Sequence, residues 1–137
     1  LRVPFIVNMP GRVAAATLND RIYFPDVLPT LASIAGAEEH LPSALDGVDI
    51  SSLFYEEYKD VDTYSRMLYW EFPGKQRAAI RGEWKAVSVK RGAPLELYRI
   101  SADPNETTDL SSLYPEVVAE MDSLMRCAHR PSPNFPE

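Results

Sequence analysis

The stretch QRAAIRGEWKAVSV, residues 76–89, decides how this chain is interpreted, because it has the pattern of a β-hairpin. Two strand-like runs, Gln76–Arg81 and Trp84–Val89, flank the pair Gly82-Glu83, and a two-residue loop with glycine first is typical of a type II′ turn. That register places Arg81 opposite Trp84, within reach of a cation–π contact. It also predicts a buried face that carries Ala78, Ile80, Val87 and Val89.

Strand-like segments lie on both sides of this hairpin, and a helix follows them. Met67–Phe72 is dense in aromatic residues and Leu95–Ile100 has strand character, which together predict a small antiparallel sheet. The clearest helix begins at Pro115, a favourable first helical residue. Its apolar stripe, at helical spacing, consists of Val117, Met121, Leu124 and Ala128, with Val118 and Met125 beside it.

The N-terminal part has a different pattern. Val3–Val7 is an almost wholly apolar run, which suits a strand covered on both faces, as in a parallel sheet. A helix is predicted over Asp26–Ala35, with Asp26 as its N-terminal cap, Pro29 in the first turn and Gly36 as the left-handed C-terminal residue. The expected fold is therefore α+β: a small antiparallel sheet with a C-terminal helix, preceded by a strand and a helix.

The segment Ala37–Asp62 is predicted to be mostly loop, with one helical turn over Asp49–Phe54. The expected division is thus 1–36, 37–65 as a connecting region, and 66–137 as the antiparallel-sheet subdomain. The chain starts without methionine on what is interpreted as a strand, so we expect it to be a piece of something longer. The start also lacks the pattern of a signal peptide.

Composition excludes several classes of protein. The 137 residues carry a net charge of −6, and phosphate binding needs clustered Lys and Arg, so nucleic acid is not an expected partner. No apolar run approaches the roughly 20 residues that a membrane helix needs. The single cysteine, Cys127, excludes an internal disulfide, and its place in the helix predicts a small buried residue.

Groupings typical of catalysis are missing from the sequence. The two histidines, His40 and His129, have no neighbour at metal-ligand spacing, and His129 is interpreted as a favourable residue at a helix C-terminus. The glycines are scattered at turns, and no phosphate-binding loop is present. Paired carboxylates in the loops lack the spacing of a calcium loop and are interpreted as solvated surface.

One cluster of charged residues around Pro73-Gly74 suggests binding. Its members are Glu71, Lys75, Arg77, Arg81 and Lys85. Guanidinium groups match sulfate or carboxylate oxygens with forked hydrogen bonds, so the cluster could meet an anionic substrate. A cross-strand ladder of ion pairs explains the same residues, and we favour that interpretation.

In order along the chain, these segments resemble the C-terminal third of type I sulfatases, of the alkaline-phosphatase-like superfamily. The segments are LRVPFIVNMPGRV (1–13), YFPDVLPTLASIAG (23–36), LPSALDGVDISSLF (41–54), MLYWEF (67–72), AAIRGEWKAV (78–87), LELYRISADPNETTDLSSLYPEVVAEM (95–121) and AHRPSPNF (128–135). Each is weak alone, but together and in register they cover essentially the whole chain. The first strand and helix would then belong to the large α/β domain of the family.

The resemblance implies a parent that hydrolyses sulfate esters with a formylglycine nucleophile and a calcium ion. The residues that supply these in the family precede Leu1, so no catalytic or metal-binding residue is assigned here and the chain alone is expected to be inactive. The implied partners are the rest of the sulfatase chain and a sulfated small molecule or glycan, and the parent is expected in the periplasm or outside the cell. As candidates for substrate contact, the resemblance implies Trp70, Glu71, Lys75 and Arg77.

Two alternatives stay open at this point. The chain could be a free-standing β-rich module that holds glycans on its aromatic strand, although an opening strand suited to burial on both sides disfavours this. It could also be the same region of a related phosphodiesterase or phosphonate hydrolase, since this part of the superfamily discriminates poorly between esters. We further expect the isolated chain to self-associate or to leave residues 1–36 loosely ordered, because the first strand would have unpaired edges.

Overall fold

The structure is a computed structural model that describes residues 3–55, 61–72, 76–90 and 92–133. It divides into two compact units, Leu1–Tyr64 and Ser65–Glu137. The division into residues 1–36, 37–65 and 66–137 stays a prediction of the sequence. The α+β fold class is confirmed, since an antiparallel sheet and a C-terminal helix are both present.

The second unit contains a four-stranded antiparallel sheet. Its strands are β1 (Leu68–Phe72), β2 (Gln76–Arg81), β3 (Trp84–Ser88) and β4 (Glu96–Arg99), in the order β1-β2-β3-β4. The predicted hairpin register is confirmed, because Arg81 pairs with Trp84 across β2 and β3. Gly82 has a φ of 56°, which a glycine adopts without strain and which a tight hairpin turn requires.

The helix α2 (Pro115–Ala128) packs on one face of this sheet. The buried cluster consists of Ala79, Ala86, Leu95, Leu97, Met121 and Met125. The prediction of the buried face is confirmed only in part: Ala78 on the predicted face is 5% exposed, but Val89 on that face is 45% exposed, and the helix covers the opposite face, that of Ala79. Strand alternation separates two faces but does not say which one a helix covers. The small side chains of Ala79 and Ala86, aligned across β2 and β3, let α2 approach closely.

The expected contact between Arg81 and Trp84 is replaced by another. Arg81 Nη1 lies 2.6 Å from Oε1 of Glu120 on α2. The guanidinium over the Trp84 ring belongs to Arg99, 4.7 Å from the ring centroid. Trp84 has Arg81 as its partner on one neighbouring strand and Arg99 on the other. The position of α2 decides which arginine contacts the ring, because Glu120 on that helix binds Arg81. Tyr114, directly before α2, packs against Trp84 with 5.0 Å between the ring centroids.

The first unit is built around the helix α1 (Val27–Ala35), preceded by a 3-10 turn over Phe24–Asp26. Gly36 ends the helix with a φ of 65°, as predicted. Asp26 does not cap α1 with its side chain, contrary to the prediction. Its fully buried carboxylate accepts hydrogen bonds from the backbone N–H groups of Tyr23 (2.7 Å) and Val48 (3.0 Å) instead. The longer-range bond to Val48 links two segments, which a local capping rule does not anticipate.

A close approach of two backbone segments explains one glycine of the first unit. A Cβ at Gly47 would lie 2.1 Å from the carbonyl oxygen of Pro25, a distance that no side chain tolerates. Glycine therefore permits the loop to come near enough for Asp26 to reach Val48. Thr30 adds a further bond, since its hydroxyl accepts from the N–H of Ile50 at 3.1 Å. The expected helical turn is present as a 3-10 turn over Ser51–Phe54.

The strand predicted over Val3–Val7 is not seen. In the described part of the first unit these residues belong to no strand, and Val3 and Ile6 are 83% and 86% exposed. A β-strand needs a neighbouring strand to receive its backbone hydrogen bonds, and residues 3–55 and 61–64 contain no strand that could do so. An apolar run suited to burial is therefore left in an irregular conformation.

Candidate functional site

The end of the β1–β2 hairpin carries the residues predicted to meet a substrate. Glu71 and Arg77 are register partners across the two strands, and Phe72 pairs with Gln76 beside them. Trp70 pairs with Ala78 and, being the next residue along β1, lies on the opposite face from Glu71. The structure thus brings Glu71 and Arg77 together and separates them from Trp70. Lys75 lies outside the described residues.

Glu71 has two further contacts that local sequence patterns did not reveal. Its Oε1 atom accepts a hydrogen bond from the hydroxyl of Tyr69 (2.5 Å) and lies 2.6 Å from Nδ1 of His129. The side chains of Glu71 and His129 are 16% and 14% exposed, so the pair is largely shielded from water. Charge-assisted hydrogen bonds of this kind are short and strong. Local sequence patterns could not predict the pair, because 58 residues separate Glu71 from His129 and only the packing of α2 brings them together.

The electrostatics of the cluster follow from burial. The pKa of the Tyr69 hydroxyl is raised, first by desolvation and then by its hydrogen bond to Glu71 and the negative charge of that carboxylate. Arg77 opposes the shift through its charge and a side-chain hydrogen bond to Tyr69. Tyr69 therefore stays protonated at neutral pH and acts as a donor. One edge of the sheet thus groups an acid, a phenol, a guanidinium and an imidazole, which we call the Glu71 cluster (Tyr69, Glu71, Arg77 and His129).

The other cations of the predicted charged cluster are used elsewhere. Arg81 pairs with Glu120 on α2. Lys85, on the opposite face of the sheet and only 7% exposed, lies 2.5 Å from both carboxylate oxygens of Glu106. Each of these two pairs is therefore an ion pair, but its acidic partner comes from a helix or a loop, not from the neighbouring strand as the ladder interpretation required.

In the segment after β4, aspartate side chains accept hydrogen bonds from backbone N–H groups. The carboxylate of Asp103 accepts from the backbone N–H groups of Thr107 (2.7 Å) and Thr108 (2.9 Å). Asp109 accepts from the N–H of Leu97 in β4 (3.0 Å). These backbone hydrogen bonds lower the pKa of both aspartates, with the bond from Thr108 foremost for Asp103 and the bond from Leu97 foremost for Asp109. The carboxylates shape this loop and its attachment to the sheet.

Glu106 occupies an unusual position in the same loop. Its φ of 57° lies in the left-handed region, which residues with a side chain rarely adopt. The strain is tolerated because the conformation delivers the carboxylate to Lys85, a cation whose burial would otherwise be costly. The segment DPNETTDL, residues 103–110, thus acts as a structural element of the second unit.

Two other residues that are often catalytic lie outside this cluster. Cys127 is exposed, which contradicts its prediction as a buried residue, because the stripe of α2 that meets the sheet is centred on Met121 and Met125. His40 is exposed too, 3.6 Å from Glu39. Among the residues that the structure describes, no three His, Cys, Asp or Glu side chains are grouped so as to hold a metal ion. Across the same residues, no helix is long and apolar enough to cross a membrane.

Curated proteins that are similar to this chain include arylsulfatases. No protein-family model matches the chain. Bovine arylsulfatase K is 28% identical over 135 residues, which cover 90% of this chain and 25% of that protein. Bovine arylsulfatase A is 30% identical over 145 residues, which cover 88% of this chain and 28% of that protein. The chain therefore spans about a quarter of the length of these curated relatives.

Solved structures share the fold. A protein described as a 2-O GAG sulfatase superimposes with a TM-score of 0.59 at 23% identity, over 74% of this chain and 23% of that chain. Another, solved in complex with its substrate D-glucosamine-2-N,6-O-disulfate, has a TM-score of 0.57 at 20% identity, over 74% of this chain and 22% of that chain. At these identities the likeness concerns the fold alone.

Proposed function

Because this chain is a sulfatase homologue that corresponds to a C-terminal portion of that family, we propose that its parent hydrolyses sulfate esters and that this portion completes the fold and borders the substrate pocket. The observation that carries the proposal is the similarity to arylsulfatases along about 90% of the chain. The fold supports it, since 74% of this chain superimposes on a sulfatase structure with a TM-score of 0.59.

In this proposal the chemistry belongs to residues ahead of this chain. A formylglycine would supply the nucleophile, and calcium would hold the sulfate group. The sequence contains no Cys/Ser-x-Pro-x-Arg motif, from which the formylglycine of the family is made. No step of the reaction is therefore assigned to this chain, and we expect the 137 residues alone to be inactive.

The residues proposed to contact substrate are Trp70, Glu71, Lys75 and Arg77. Arg77 is the best suited to an anionic substrate, because a guanidinium offers forked donors to sulfate or carboxylate oxygens. Glu71 contributes chiefly by its position beside Arg77, since its Oε1 already accepts from Tyr69 and lies against His129. Trp70, on the other face, would act separately from this pair.

The substrate class that we propose is a sulfated glycan. The name of a curated relative supports this, since a protein 25% identical over 90% of this chain is an N-acetylgalactosamine-6-O-sulfatase of Bacteroides thetaiotaomicron. The chemistry of Arg77 is compatible with it, because a guanidinium group can donate forked hydrogen bonds to the oxygens of a sulfate group on a sugar.

The test uses the full-length protein that contains this chain, assayed with calcium on a panel of sulfated sugars, an aryl sulfate, a phosphodiester and a phosphonate ester. We expect turnover of a sulfate ester, lost when the upstream nucleophile is replaced by alanine. A preference for the phosphodiester or phosphonate would overturn the proposal in favour of the related hydrolases. Binding of glycans without turnover of any ester would favour a binding module.

A second arm tests the role of this portion directly. The variant Arg77→Ala in the full-length protein should raise KM for a sulfated sugar by about tenfold, since a desolvated guanidinium–anion contact is lost. Arg12→Ala, in the first unit and exposed, is the matched control and should leave KM unchanged. Equal KM values for the two variants would contradict the proposal that Arg77 contacts the substrate.

A further inference from the structure

The connection between α2 and the sheet edge at the Glu71 cluster has a specific chemistry. His129 is the residue directly after α2, and its Nδ1 atom lies 2.6 Å from Oε1 of Glu71, the penultimate residue of β1. The Tyr69 hydroxyl donates to the same oxygen. A carboxylate oxygen is an acceptor, so we assign the donor role in this contact to Nδ1 of His129.

The contact with Glu71 is the polar interaction that orients the imidazole. Nε2 of His129 is buried and has no hydrogen-bond partner among the described residues. The ring is therefore held towards the sheet through Nδ1. Removal of the Nδ1 donor would leave the Glu71 carboxylate, itself largely buried, with one donor fewer, and an under-satisfied buried carboxylate tends to move towards water.

Movement of Glu71 would affect the end of the hairpin. Glu71 is the register partner of Arg77, and the next pair, Phe72 with Gln76, borders the connection that contains Lys75. The Glu71 side chain and Arg77 also share Tyr69 as a neighbour, because the hydroxyl of Tyr69 bonds to both. The positions of Glu71 and Arg77 are thus coupled through backbone pairing and through Tyr69.

We propose that His129 is a positioning residue for substrate specificity: by donating from Nδ1 to Glu71, it holds the end of the β1–β2 hairpin so that Arg77 is presented to an anionic group of a sulfated glycan. This inference rests on the proposed function for its substrate. It assigns a role to the C-terminal end of α2, which carries none of the residues predicted to contact substrate. His129 itself does not touch the substrate in this arrangement.

Two substitutions in the full-length protein distinguish the roles of the two ring nitrogen atoms of His129. His129→Asn places an amide donor near the position of Nδ1, whereas His129→Gln places it near Nε2 and loses the bond to Glu71. We expect His129→Gln to raise KM for a sulfated sugar by about fivefold with kcat changed less than about twofold, the pattern of lost binding. His129→Asn should stay within about twofold of the wild type in both constants. Cys127→Ser, exposed on the same helix, is the control.

Some outcomes would overturn the proposal. Equal KM values for the Asn and Gln variants would show that the Nδ1 donor is not what matters. A fall in kcat with unchanged KM would contradict a role in binding. The thermal unfolding temperature of each variant shows whether the substitution destabilises the protein in general. If both variants have a lower unfolding temperature and the same KM, this would also count against a positioning role.

A readout that needs no turnover separates this inference from the proposed function. Hydrogen exchange of the backbone amides in β1 and β2 should speed up by about tenfold in His129→Gln and stay unchanged in His129→Asn, because local opening of the hairpin end governs exchange there. If the wild-type protein cleaves no sulfate ester, the proposed function fails, while the exchange rates still decide whether His129 holds the hairpin. Identical exchange in the two variants would refute the positioning role itself.

Discussion

The two units of this protein are stabilised by different means. In Ser65–Glu137, a sheet and a helix enclose an apolar cluster in which Ala79, Ala86 and Leu97 are fully buried. In Leu1–Tyr64, two of the most buried side chains are polar, Asp26 and Thr30, and both accept hydrogen bonds from backbone N–H groups.

The apolar residues show the same contrast. Large apolar side chains of the first unit are widely exposed: Val3, Ile6, Phe24, Leu28 and Leu31 are each more than half accessible. Single exposed apolar residues are common, but a helix and an apolar run that both expose them indicate surfaces made for further packing. The comparison teaches that the second unit has a core between helix and sheet, whereas the first buries a few apolar residues, Ile50 and Leu53 among them, and depends in addition on buried polar contacts.

The largest effect is expected in the apolar core of the second unit. Leu97→Ala should lower the free energy of unfolding by about 2–5 kcal/mol, because it removes buried methyl groups and leaves a cavity. Urea unfolding followed by tryptophan fluorescence measures the change. Leu113→Ala, at a site that is 70% exposed, is the matched control and should change stability by less than about 0.5 kcal/mol. A similar cost for both would contradict a self-contained core.

A smaller and more local effect is expected in the first unit. Asp26→Ala leaves the N–H groups of Tyr23 and Val48 without their acceptor, at a cost of roughly 1–3 kcal/mol for an unsatisfied buried donor. Proteolysis should then cleave the segment between α1 and residue 50 faster, while the core of the second unit keeps its protection. Asp46→Ala, exposed in the same loop, should have no such effect. If the second unit also lost its protection from proteolysis, the polar contacts of the first unit would be shown to stabilise both units.

Exposure of apolar residues predicts association of the isolated chain. Sedimentation should show mass that increases with concentration, or residues 1–36 should be cleaved rapidly by proteases, because burial of apolar surface drives association. Ile6→Lys should reduce the association, whereas Leu113→Lys in the second unit should leave it unchanged. A compact monomer whose first 36 residues resist proteolysis would contradict this prediction.

The smallest effect is expected on the stability of the second unit at low pH. The pKa values of Asp103 and Asp109 are lowered by backbone hydrogen bonds in the folded state, so each carboxylate contributes stability above the unfolded pKa of about 3.9. That contribution is lost as the pH falls through the lower folded pKa. The stability of the second unit should therefore decline below about pH 4, and Asp109→Asn should make the decline shallower. An unchanged slope in that variant would argue against a role for Asp109.

Local patterns sufficed for the elements of the second unit. Gly82-Glu83 between two strand-like runs specified the turn and the pairing of Arg81 with Trp84, and Pro115 specified where α2 begins. These features depend on a few neighbouring residues, so the sequence alone reveals them. The order of weak motifs also predicted the sulfatase relationship, which the similarity to arylsulfatases K and A confirms.

Other features could be decided only by the tertiary structure. Alternation along β2 and β3 defines two faces, but the position of α2 decides that Ala79 is covered and not Val89. The apolar run Val3–Val7 is suited to a strand, yet no strand pairs with it among the described residues of the first unit. His129 meets Glu71 although 58 residues separate them, because α2 returns along the sheet to the end of β1. Sequence determines turns, caps and periodicity because these arise between near neighbours, whereas the choice of face, strand partner and long-range hydrogen bond depends on how distant elements pack.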